Sequence, residues 1–202
     1  MRIVNRSFSL MALLLVMSVS AATAQPQELP LGSPLPMQDH TVSLVDGSTT
    51  TVGTLTGSAG TVFIFWSNQC PWVDKYEERV LALHTAFGGQ GVNFVLVNAN
   101  DPEAFPMEAA SEGLAKNYPM PYVMDAGSQF AQALGAFRTP HVFAFDSTNT
   151  LVFTGAIDDS PGDAANVQNT YLRNVAQAMA QGGTLEFAPT KAFGCRIKFQ
   201  ML

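Results

Sequence analysis

Cysteine is nearly missing from this chain: Cys70 and Cys195 are the only two, so at most one internal disulfide can form. Charge is scarce as well. Only 13% of the 202 residues are charged, against 47% apolar, which excludes a chain disordered throughout. Basic residues are outnumbered, 10 Lys and Arg against 16 Asp and Glu, and nowhere cluster. Nucleic acid is therefore not an expected partner. The histidines, His40, His84 and His141, are scattered and sit in no close ligand cluster, so no metal site is expected. Asp158, Asp159 and Asp163 lack an EF-hand pattern and read as a solvated loop. Internal repeats are absent, and no apolar run beyond the N-terminus reaches membrane length.

What the N-terminus does have is the layout of a secretory signal peptide over residues 1–24. Arg2 and Arg6 precede a mostly apolar run, Phe8 to Val19, and Ala22-Thr23-Ala24 offers cleavage before Gln25. Cleavage removes two positive charges and takes the net charge from −6 to −8. The expected destination is an oxidising compartment, a bacterial periplasm, with no integral membrane segment left after cleavage. Residues 25–36, rich in proline, read as an extended lead-in, and 37–202 as one domain.

The domain is organised around Thr61 to Val80, TVFIFWSNQCPWVDKYEERV. Thr61 to Trp66 has the composition of a strand buried on both faces. From Val73 the apolar positions Val73, Tyr76, Val80, Leu83 and Phe87 recur at helical spacing. Cys70 falls between the two, and Pro71 suits the first helical position. A thiol at a helix N-terminus meets free N–H groups and the positive end of the dipole, which favour the reactive thiolate. Upstream, Thr41 to Val45 and Thr49 to Val52 flank Asp46-Gly47-Ser48, a hairpin signal. Downstream, Val92 to Val97 is a second buried strand, completing a right-handed βαβ unit, and the loop Asn98 to Pro102 lies at the ligand-binding edge of such a sheet. The patterns then predict a helix over Glu103 to Tyr118 interrupted by Pro106, a short strand within Met120 to Met124, and a short helix over Gly127 to Leu134. A hairpin of Val142 to Phe145 with Leu151 to Ala156 follows, and a last helix over Asn166 to Gln181.

FWSNQCPWV between strand and helix resembles the active-site turn of the thioredoxin-like superfamily, and within it the redoxin group (AhpC/TSA and TlpA-like proteins). The resemblance covers most of the chain after about residue 31. It implies an α/β fold, a central mixed β-sheet flanked by helices with an N-terminal β-hairpin. Val73 stands where a Cys-x-x-Cys site has its second cysteine. Arg138-Thr139-Pro140 resembles the family's cis-proline motif, which faces the active cysteine. The ending Gly194-Cys195-Arg196-Ile197-Lys198 resembles the GC-x-IK terminus of a redoxin subgroup. Ser67 stands three before Cys70, where peroxiredoxins carry the Thr or Ser that bonds peroxide; their proline seven before the cysteine is here Phe63. Arg138 resembles the peroxiredoxin arginine that supports the thiolate. Thr139, Pro140 and Trp72 are the implied substrate contacts.

These readings imply a thiol oxidoreductase that needs no cofactor. Cys70 attacks a peroxide or a disulfide, and Cys195 or an external thiol reductant regenerates it. The substrate is a small peroxide, or a protein or small-molecule disulfide. The alternative is a non-catalytic binding module in which Cys70 and Cys195 form a structural disulfide.

Overall fold

The computed structural model describes residues 27–200; the expected signal peptide lies outside the described residues. Thr41–Leu44 (β1) and Thr49–Thr51 (β2) form the expected hairpin, with Thr41 opposite Thr51. The Asp46 carboxylate closes it by accepting the backbone N–H and hydroxyl of Ser48. Gly60–Trp66 (β3), Pro71–Phe87 (α1) and Val92–Asn98 (β4) make the βαβ unit. β3 and β4 run parallel from Gly60 opposite Val92 to Trp66 opposite Asn98. Ala110–Ala115 (α2), Tyr122–Met124 (β5) and Gln129–Leu134 (α3) follow. Then come Arg138–Thr139 (β6), His141–Asp146 (β7) and Leu151–Gly155 (β8). Tyr171–Gln181 (α4) and Cys195–Arg196 (β9) end the series.

The main sheet is mixed, in the order β2-β1-β5-β4-β3-β7-β8, and β6 pairs with β9 in a separate two-stranded ladder. Every residue of β3 is buried, as its apolar run demands of a strand covered on both faces. Its side chains alternate between two cores. Val62, Ile64 and Trp66 meet Val73, Tyr76 and Val80 of α1 and Leu172, Val175 and Met179 of α4. Phe63 and Phe65 face the other way, toward α3. There Phe63 meets Phe130 edge-on at 5.1 Å and Phe65 meets Phe143 at 5.7 Å. Each such buried side chain contributes on the order of 2 kcal/mol of transfer free energy.

Three sequence expectations change. The helix expected over Glu103 to Tyr118 is a 3₁₀ turn, Pro106–Glu108, followed by the single short α2. Pro106 brings no N–H, and Glu108 is drawn completely out of solvent. The last helix starts at Tyr171, five residues later than expected. The preceding backbone is captured by Asp159, whose carboxylate accepts the Gln168 N–H at 3.0 Å and the Asn169 side-chain amide at 2.6 Å. Asp158 is not part of a solvated loop. It is buried and accepts from Arg79 at 2.6 Å and from the Tyr76 hydroxyl at 3.1 Å, pinning the loop to α1.

His141 begins β7, fully buried, with its Nε2 3.2 Å from the Thr154 hydroxyl. Burial, helped by the charge of Arg138, pushes its pKa down to about 3. The Glu28 carboxylate, 3.6 Å away, therefore meets a neutral ring at neutral pH. In the unfolded chain the imidazole takes a proton near its ordinary 6.5, in the folded chain only near 3. Between those values the unfolded state binds more protons, so acid favours unfolding. Urea denaturation should show stability falling as the pH drops from 6.5 toward 3, this one group contributing up to about 1.4 kcal/mol per pH unit. His141→Gln should flatten that slope.

Candidate thiol site

Cys70 is the N-cap residue of α1, with Pro71 at the first helical position. Its backbone is extended (φ −79°, ψ 118°), and its carbonyl accepts the Val73 and Asp74 N–H groups. The side chain is only 2% exposed, and its thiol donates to the Thr139 carbonyl at 3.2 Å. The Thr139–Pro140 bond is cis.

Cys195 arrives from the far end of the chain. It pairs across the β6–β9 ladder with Thr139, and Arg196 pairs with Arg138. The two cysteines are free thiols, and Cys195 stands in the ladder opposite Thr139, the residue whose carbonyl accepts the Cys70 thiol. Burial, followed by the neighbouring Cys70 side chain, pushes the Cys195 pKa up to about 12; Lys198 opposes and Glu108 adds. Cys195 thus holds its proton at neutral pH.

The turn before Cys70 is held by a residue that the sequence reading missed. Glu108, with no exposure, accepts the Ser67 hydroxyl at 2.5 Å and the Asn68 N–H at 2.9 Å, one on each carboxylate oxygen. The Asn98 amide adds a donor at 3.0 Å. Asn68 in turn accepts the Tyr122 hydroxyl at 2.8 Å. A buried charge needs such donors. A glutamate in a polar run gives no sign in sequence of where they will come from.

The other expected site residues gather here in altered attitudes. Ser67 is buried, with its proton committed to Glu108. Arg138 donates to the Gly194 carbonyl at 2.7 Å, so its guanidinium anchors the C-terminal segment. Trp72 stacks edge-on against Phe193 of that segment, at 4.7 Å and 81°. Asn100, in the loop after β4, accepts the Lys198 N–H at 2.9 Å. Thr139 lies beside Cys70, its carbonyl accepting the thiol, and Pro140 follows it through the cis bond.

A βαβ core with a thiol at its helix start and a cis-proline bond beside it defines a thioredoxin-like protein. The chain belongs to the Redoxin family, whose sequence model matches residues 30–171. A hypothetical protein from Sinorhizobium meliloti 1021 is similar, with 30% identity and a TM-score of 0.77, over 86% of this chain and 97% of that one. More distant likenesses show the fold alone. One is the thioredoxin domain of a thiol-disulfide oxidoreductase from Bacteroides vulgatus, at 18% identity and TM-score 0.51, covering 61% of this chain and 86% of that one. Another is peroxidoxin BcpB from Mycobacterium tuberculosis, at 14% and 0.53, covering 75% and 96%. No curated protein matches the chain. Cys195 lies beyond the family match.

Glu108→Ala would strand the Ser67 hydroxyl, the Asn68 N–H and the Asn98 amide in the interior. Urea denaturation should show a loss on the order of 3 kcal/mol or more. Glu108→Gln, which keeps one acceptor, should lose less.

Proposed function

We propose that this protein is an exported, periplasmic thiol oxidoreductase in which Cys70 is the nucleophile and Cys195 the resolving thiol. The observation that carries the reading is the meeting of the two cysteines at Thr139, whose carbonyl accepts the Cys70 thiol at the start of α1 and whose backbone pairs with Cys195. A thiolate at a helix N-terminus is the better nucleophile of the two, and its protonated neighbour is already within reach for the second step. In that mechanism the Cys70 thiolate attacks one sulfur of a disulfide, forming a mixed disulfide and expelling the other sulfur as a thiolate that takes up a proton. Cys195 then gives up its proton and attacks Cys70. The second substrate thiol leaves, and a Cys70–Cys195 bond remains. Two electrons pass to the substrate, and an external thiol returns them.

Disulfide exchange is favoured over peroxide reduction because Ser67 and Arg138 are both engaged elsewhere, with Glu108 and with Gly194. Peroxide remains the second reading. It is small enough for a site as enclosed as Cys70, and Cys70 would pass through a sulfenic acid before losing water to Cys195.

Reduced protein treated with one equivalent of glutathione disulfide, or separately of hydrogen peroxide, tests both readings by intact mass and peptide mapping. The expected product is a Cys70–Cys195 bond, with loss of two hydrogens, formed faster by the disulfide. Cys195→Ser should stop at a glutathione adduct on Cys70. A Cys70 no more reactive than an ordinary free thiol toward either reagent sinks the oxidoreductase reading and leaves the binding module. Export is checked separately, since the N-terminus of protein recovered from the periplasm should be Gln25.

A further inference from the structure

The Cys70 thiol is almost sealed, and what seals it is the protein's own C-terminal segment. β9 lies along β6, with Cys195 opposite Thr139 and Arg196 opposite Arg138. The Ile197 N–H extends the pairing to the Phe137 carbonyl at 3.0 Å, and the Ile197 side chain is buried in the core. On the other side, Phe193 covers Trp72. Gly194, at φ +150°, passes so close to β6 that a Cβ there would run into the Thr139 carbonyl oxygen. Without this segment, β6 would be an edge strand with open backbone donors and acceptors beside the nucleophile, the kind of edge that extended peptides use for strand addition.

We propose that residues 193–197 are a captive strand, occupying the seat of an extended polypeptide partner with Cys195 standing where the partner's reacting cysteine would stand. The proposal rests on the reading of Cys70 as a nucleophile and adds the partner and its regulation. The captive strand specifies that partner: an aromatic residue, a small residue, the cysteine and, two positions on, an aliphatic residue. Its ladder is only two residues long. Beyond it, the segment is clamped at Thr190, whose N–H reaches the Thr154 carbonyl at 3.0 Å, and at Lys198, which pairs with Asp101 and Asn100. Residues 193–197 can lift as a bow between the two clamps by breaking the two-residue ladder, the Ile197–Phe137 bond and the Arg138–Gly194 bond. A polypeptide reaches Cys70 when they do, and a small reagent does not need the whole seat.

The test uses two reagents with one leaving group. One is 2,2′-dithiodipyridine. The other is a peptide of the sequence at residues 190–199 whose cysteine is held as a 2-thiopyridyl disulfide. Attack by Cys70 releases 2-thiopyridone from either and leaves a mixed disulfide. Cys195→Ser serves as the reference, and Gly194→Val is added to it to lift the strand. Uncovering the thiol should raise both rates, and the peptide rate should rise by about tenfold more than the dithiodipyridine rate, because only the peptide also needs the vacated edge. An unchanged peptide rate, or an equal rise with both reagents, overturns the proposal. A second measurement does not depend on the chemistry of Cys70. The same peptide with serine for cysteine is added to the unsubstituted protein, and amide hydrogen exchange is followed. Residues 194–197 should lose protection while β6 keeps its own. Unchanged protection of 194–197 overturns the captive strand even if Cys70 proves reactive. Inertness of Cys70 toward both reagents would instead overturn the oxidoreductase reading.

Discussion

A carboxylate without solvent, that of Glu108, is the constraint on which the thiol turn depends. An ionised group removed from water must be met by donors. Here they come from segments far apart in sequence: Ser67 and Asn68 in the turn after β3, and Asn98 at the end of β4. Satisfying one charge therefore fixes the approach of the chain to Cys70, the end of the neighbouring parallel strand and the 3₁₀ turn that carries Glu108 itself.

Much of the scaffold was legible in the sequence, because its signals are local. The run from Thr61 to Trp66, the Cys-Pro step and the helical spacing after Val73 place a thiol between a buried strand and a helix. Asp46-Gly47-Ser48 marks the hairpin equally well. The misreadings came where distant partners overruled local pattern. Asp159 held the segment before Tyr171 out of the last helix, and Arg79 took Asp158 into the interior. The site was legible in part. Cys70 announced itself by position. Thr139 and Pro140 were recognisable only by resemblance, since no local signal says that a proline will face a particular thiol. The meeting of Cys195 with Cys70 was suggested only by resemblance, and the presence of Glu108 depends on contacts between segments that nothing in either segment foretells.

The C-terminal segment gives the site its character. It supplies the second thiol, covers Trp72 with Phe193 and takes up the guanidinium of Arg138. It also sets Arg196 directly across from Arg138, a like-charged pair of the kind that weakens a ladder. The segment is thus held at its clamps and again in its middle, by Arg138 at Gly194 and by buried Ile197, with the Arg138–Arg196 pairing working against the ladder between them.

The division of β3 between two cores has a consequence for how this protein tolerates change. The thiol turn is built on the face of Val62, Ile64 and Trp66, while the aromatic layer of Phe63, Phe65, Phe130 and Phe143 lies across the sheet. Apart from Ile197, which ties the Cys195 strand into it, the aromatic layer meets the site through the backbone of one strand that is hydrogen-bonded on both sides. One half of the interior is therefore open to evolutionary drift while the other is bound to the chemistry. Two descendants of this chain could come to differ throughout their phenylalanines and still present the same sulfur in the same place.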